Sequence, residues 1–142
     1  MLNKIIDGIA IKLNQEFGDE YEIYKESVKQ GLKEPCFFIV LLTATQTQVI
    51  GKRYFREQPF DIHYFPSTND KNTEIFNVVD KLNDALEYIS MESDLLHGSK
   101  MHYEVVDGVL HFFVNYNFHV YKESDALDIM ETLTVGTGLK EE

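Results

Sequence analysis

Few side chains able to do chemistry stand out in this chain, and they lie far apart. Its imidazoles are His63, His97, His102, His111 and His119. His111 and His119 share one face of an alternating stretch. At ~3.3 Å per residue they are about 26 Å apart, too far to chelate one ion unless the strand bends sharply. No pair of histidines has the i, i+4 helical spacing of a zinc site. His63 can approach His111 or His119 only if their two segments pair across strands. The expectation is histidines on the polar face of a sheet, with no metal and no cofactor.

Other nucleophiles and acids fare no better. Cys36 opens the most apolar run of the chain, CFFIVLL, and no protease-like motif surrounds it. A free cysteine there is expected to be a small buried hydrophobe. Asp61, Glu104 and Asp107 are scattered, without the pairing that acid–base work needs, and Asp107 is explained by its turn. Gly136-x-Gly138 lacks the strand–helix context and third glycine of a phosphate loop. No enzyme is expected.

Contact chemistry is better represented. Arg53 and Arg56 are the two arginines, both in YFREQPFDIHYFP (54–66) or just before it. A planar guanidinium suits carboxylate pairing between subunits; a solvated edge strand is the competing reading. His111, Asn115, Asn117 and His119 form a polar face flanked by aromatics. Lys, Asp and Glu are absent from Val109–Tyr121, and interface cores are depleted of charge. The expected contact set is Arg53, Arg56, Asp61, His63, His111, Asn115, Asn117 and His119.

The elements that must position these residues follow from periodicity. Ile5, Ile6, Ile9, Leu13 and Phe17 recur at steps of three and four, predicting a helix over 2–17 that ends at Gly18. Tyr21–Glu26 alternates as a short strand, and Val28–Pro35 reads as a loop. Cys36–Leu42 predicts a central strand covered on both faces. Thr43–Gly51 reads as a hairpin tip or loop. Lys52–Pro66 predicts a strand region interrupted at Gln58-Pro59, with a bulge or an edge at the proline. Within it Phe60, Ile62 and Tyr64 point one way, Asp61 and His63 the other.

Ser67–Asn72 is a polar turn leading into a second helix over 73–89. Its core stripe is Ile75, Val79, Leu82, Leu86 and Ile89. Ser90–Lys100 reads as a loop. Asp107-Gly108 between Met101–Val106 and Val109–Tyr121 is a strong hairpin signal. Along that second strand, Leu110, Phe112, Val114, Tyr116, Phe118 and Val120 share a face.

The order is helix, three strands, helix, hairpin and tail. It predicts a two-layer α+β domain: a mixed, mostly antiparallel sheet of four to six strands with two helices on one face. Residues 1–121 form one domain, and 122–142 an arm of undetermined structure.

Composition sets outer limits. The chain has 142 residues, 44% hydrophobic and 26% charged, enough for one core without staples. Aromatics reach 13%, which tilts toward sheet. The net charge of −11 and the lack of a basic run argue against tight nucleic-acid binding. They leave room for an acidic mimic of DNA that inhibits a nucleic-acid enzyme, but the strands do not space carboxylates like phosphates. One cysteine fits a reducing compartment. The first segment, broken by Asp7 and Lys12, is neither a signal peptide nor a membrane span. A cytoplasmic protein is expected.

The phrases MLNKIIDGIAIKLNQEFG, EPCFFIVLL, RYFREQPFDIHYFP and MHYEVVDGVLHFFVNYNFHV together resemble the phage tail terminator family: small tail-completion proteins of Gram-positive phages, prophages and headless phage-tail bacteriocins. The resemblance spans most of residues 1–121 and rests on overall pattern rather than a catalytic signature. It implies a ring, usually a hexamer, that sits on the last ring of the tail tube and stops growth. It implies partners in the tube, the neck and, in contractile particles, the sheath. It implies a mixed sheet with two helices, no enzymatic activity and no cofactor. Such a protein would be cytoplasmic during assembly and then part of the virion or tail-like particle. A neck or head-completion protein is the nearest alternative.

Overall fold

The computed structural model describes residues 2–25 and 31–122. Helix α1 spans Leu2–Phe17 and buries Ile5, Gly8, Ile9 and Leu13, as its spacing requires. Gly18 ends it with φ near +90°, a conformation that suits glycine. Its N–H bonds the Asn14 carbonyl at 2.9 Å. Strands β1 (Glu22–Tyr24), β2 (Cys36–Leu41), β3 (Thr45–Ile50), β4 (Arg53–Glu57) and β5 (Pro59–Phe65) follow. Then come α2 (Lys71–Ala85), β6 (Tyr88–Met91), β7 (Asp94–Val106), β8 (Val109–Tyr116) and β9 (Phe118–Tyr121).

The strands form a six-stranded sheet in the order β1-β2-β5-β8-β7-β6 and a three-stranded sheet in the order β3-β4-β9. β1 runs parallel to β2 and the other pairs are antiparallel. The expected α+β class with mostly antiparallel pairing holds. Chain contacts divide the molecule into Met1–Ala44 with Gln58–Asn117, and Thr45–Glu57 with Phe118–Glu142.

The first unit holds the core. Phe60, Ile62, Tyr64, Leu110, Phe112, Val114 and Tyr116 are buried on one face of β5 and β8, as strict alternation demands. Both helices lie against that face. The Tyr64 hydroxyl donates to Glu74 at the start of α2. The Tyr116 hydroxyl donates to the Leu86 carbonyl just past its end at 2.7 Å. The Phe17 ring of α1 packs 4.9 Å from Phe37. The α1 backbone comes so near β6 that a Cβ on Gly8 would lie 2.5 Å from the Ser90 carbonyl oxygen.

Several element boundaries differ from expectation. Helix α2 stops at Ala85, and Ile89 belongs to β6. Both Leu86 and Ile89 are buried all the same, so the apolar stripe is real but passes from a helix to a strand. Residues 90–100 form most of a hairpin instead of a loop, closed by Glu92 with φ near +59°. Gly98 is needed for close packing: a Cβ there would lie 2.5 Å from the Leu86 carbonyl oxygen.

The segment after Asp107-Gly108 is not one strand. It breaks at Asn117, and β8 and β9 join different sheets, so the expected shared face ends at Tyr116. Thr45–Ile50 is a strand paired with β4 rather than a hairpin tip or loop. Pro59 is neither at a bulge nor on an edge strand. It is the first residue of β5, a position that tolerates the missing donor. Of the strand expected at Tyr21–Glu26 and the loop at Val28–Pro35, residues 26–30 lie outside the described residues. So does the proposed arm beyond Lys122.

Candidate functional site

The six-stranded sheet covers its helix face with core, and among the described residues its second face is largely half-exposed. Antiparallel register builds that face in rungs. Tyr24 pairs with Phe38, Phe38 with His63, His63 with His111, and His111 with Glu104. The next rung runs from Val40 to Asp61 to Phe113 to His102. The rings touch along it. Tyr24 stacks on Phe38 at 5.0 Å, Phe38 meets Phe65 edge-on at 5.4 Å, and His102 stacks on Phe113 at 4.6 Å.

Three of the expected residues converge on this face. Asp61 is almost fully buried beneath two imidazoles. Its Oδ2 accepts from His63 Nε2 at 2.9 Å and from His111 Nδ1 at 3.0 Å. The two rings lie 4.3 Å apart. The second carboxyl oxygen, Oδ1, is buried and has no partner among the described residues. Burial pushes the Asp61 carboxyl up, but the hydrogen bonds and charge of His63 and His111 outweigh it, and the group is held below its ordinary value. The nitrogens and the carboxyl oxygen lie within 4.8 Å of one another, a spacing that can hold a cation.

Three more expected residues lie on the small sheet. Arg53 Nε donates to His119 Nδ1 at 3.3 Å, and Arg56 Nε donates to Gln46 Oε1 at 2.8 Å. β4, which carries both arginines, is the middle strand. The strand that carries Arg53 and Arg56 is therefore not an edge strand, although their hydrogen bonds lie in exposed positions. His111 and His119, once placed on a common face, belong to separate sheets, because the chain changes sheet at Asn117.

Of Asn115 and Asn117, the second uses its side chain to bond the backbone, and the first takes part through its own main-chain carbonyl. The Asn115 carbonyl accepts from Ser99 Oγ at 3.4 Å, and Asn117 Oδ1 accepts from the Gln58 N–H at 3.2 Å. Gln58, which sequence reasoning passed over, is buried, and its Oε1 has no partner. Its carbonyl takes the Tyr116 N–H at 3.0 Å.

Cys36 is buried, and burial followed by the charges of Glu34 and Glu22 pushes its thiol up to about 11. That direction opposes nucleophilic activation. Among the described residues no helix is long and apolar enough to cross a membrane.

A helix-backed sheet with an aromatic, half-exposed second face is suited to making contacts. The chain belongs to the phage tail terminator protein family, whose model matches residues 4–128. That is a family of structural proteins, so the role is tail-related and structural. No curated protein matches the chain.

Proposed function

We propose that this chain caps the end of a phage-type tail tube as a closed ring, a hexamer, that stops tube growth. It then forms the joint to a neck or closes the top of a headless particle. The observation that carries this reading is the family match over residues 4–128. Two features of the molecule support it. No described residue of 45–57 or 118–122 is buried, so the small sheet offers side chains to a partner. The aromatic open face of the six-stranded sheet offers a second, different patch. A ring needs two unlike patches, because each subunit meets its neighbour head to tail.

In this reading Arg53, Arg56 and His119 serve one contact surface. Asp61, His63, His111, Asn115 and Asn117 organise the other. The partners are copies of the chain, the tube protein and, in contractile particles, the sheath. The protein turns over no substrate, and it acts in the host cytoplasm before joining the particle. The net charge of −11 suits a lumen through which DNA slides without sticking.

Electron microscopy of particles assembled with and without the chain tests the proposal. Tubes of uncontrolled length, or uncapped tops, are expected on deletion. Tubes of normal length on tails that fail to join heads would instead indicate a neck protein. Normal particles would refute both.

A further inference from the structure

We propose that Asp61, His63 and His111 form a binding site for a divalent transition-metal ion of the zinc class. The donor set is right for such an ion: two neutral imidazoles and one carboxylate, leaving a fourth position open to solvent. The three groups come from adjacent strands, β5 and β8, whose register sets His63 directly opposite His111. Asp61 stands two residues before His63 and so shares its face. Strand backbones, not loops, fix the separations.

The Asp61 carboxylate has an unused oxygen that a bound cation could engage. Both imidazole nitrogens converge on Oδ2, at 2.9 and 3.0 Å, and Oδ1 is left buried without a partner among the described residues. A buried carboxyl oxygen with no donor is costly, the more so when charged. An ion drawn between the three groups takes lone pairs from both nitrogens and lets the carboxylate use both oxygens.

Metal–ligand bonds near 2.0–2.1 Å place ligand atoms roughly 3.3 Å apart in a tetrahedral site. Metal binding uses the tautomers with the proton on His63 Nδ1 and His111 Nε2, reached by proton exchange with water, so that His63 Nε2 and His111 Nδ1 present lone pairs. The surroundings favour retention. Val40 and Phe113 flank Asp61 in register and Phe38 flanks His63, so apolar walls keep the local dielectric low. The side chains of His63 and His111 are 26% and 22% exposed, which leaves a path for an ion to enter.

The test uses the full, untagged chain stripped with a chelator. Zn²⁺ titrated into it in a calorimeter should bind at one ion per chain and raise the melting temperature. Co²⁺ in its place should give the visible absorption bands of a low-symmetry four-coordinate site. His63→Ala and His111→Ala, each checked for native circular dichroism, should weaken binding at least tenfold. The double variant should abolish it, while His97→Ala and His102→Ala should not. Absence of stoichiometric binding by the folded wild type overturns the site. So does binding that survives the His63 and His111 substitutions. Should those variants misfold, the Co²⁺ spectrum of the wild type decides alone: bands support the site, and their absence removes it.

Discussion

The two sheets solve opposite problems. In the six-stranded sheet, β8 alternates strictly between buried and half-exposed positions, β5 does so except at the buried Asp61, and both helices cover the core side. In the three-stranded sheet, β3 is exposed throughout, β4 is intermediate at every position, and β9 is intermediate or exposed. One sheet is stabilised by its own core. Among the described residues, the other is held by backbone pairing, by the Phe55–His119 and Lys122–Tyr54 ring contacts and by polar links, among them Arg53 to His119 and Arg56 to Gln46. The contrast suggests that folding free energy resides in the first and recognition in the second.

Substitutions that remove core from the first sheet should have the largest effect. Phe112→Ala empties a fully buried ring site and should cost about 3–5 kcal/mol, read as a lower urea midpoint. Gly98→Ala sets a methyl against the Leu86 carbonyl oxygen and should cost about 1–3 kcal/mol through overpacking. Neither effect has a counterpart in the small sheet if the contrast holds.

Next comes Glu74, which draws the Tyr64 and Thr68 hydroxyls and the Ser67 and Thr68 N–H groups to the start of α2. Burial pushes its carboxyl up, but those bonds outweigh it and hold the group below its ordinary value. Glu74→Gln should cost roughly 1–2 kcal/mol at neutral pH. Because the folded group binds its proton at lower pH than the unfolded one, its contribution is complete above about pH 5. It is lost as pH falls through the depressed folded value. The wild type's advantage over Glu74→Gln should therefore shrink as pH falls below about 5 in urea unfolding. A constant difference would show that the bonds do not depend on the charge.

The smallest effect on folding should come from Ile50→Ser, at the 73% exposed end of β3. We expect a change within about 0.5 kcal/mol, measured by thermal unfolding of the isolated chain. The same variant should impair particle capping in complementation of a deletion. A large loss of stability, with capping intact, would reverse the division of labour between the sheets.

Much of the first sheet was legible because its signals are local. The i, i+3, i+4 stripe of α1, the alternation of β5 and the Asp107-Gly108 turn each carry their own geometry. Asp107 and Gly108 do take positive φ, near +52° and +75°, with Val106 paired to Val109. The split of 109–121 was not legible, because alternation persists through Asn117 while the partner strand changes. The end of α2 was missed because Leu86 and Ile89 fit a helical stripe as well as a buried turn and strand. The Asp61 cluster depends on cross-strand register, which periodicity within a single segment does not contain. The Asp-x-His spacing on one strand face was visible, with His111 or His119 as possible cross-strand neighbours of His63; that His111 is the one in register was not.

The route of the chain through the small sheet has a kinetic consequence. Arg53 meets His119 across 66 residues of sequence, whereas the β3–β4 pairing is a local hairpin. Closing so long a loop is entropically costly for an isolated pair. Pairing of Pro59 with Asn115 and Phe60 with Val114 brings those ends together beforehand. β9 should therefore dock late in refolding, after β5 and β8 have zipped. A nascent chain halted before β8 emerges would carry β3 and β4 as a lone hairpin still awaiting its third strand.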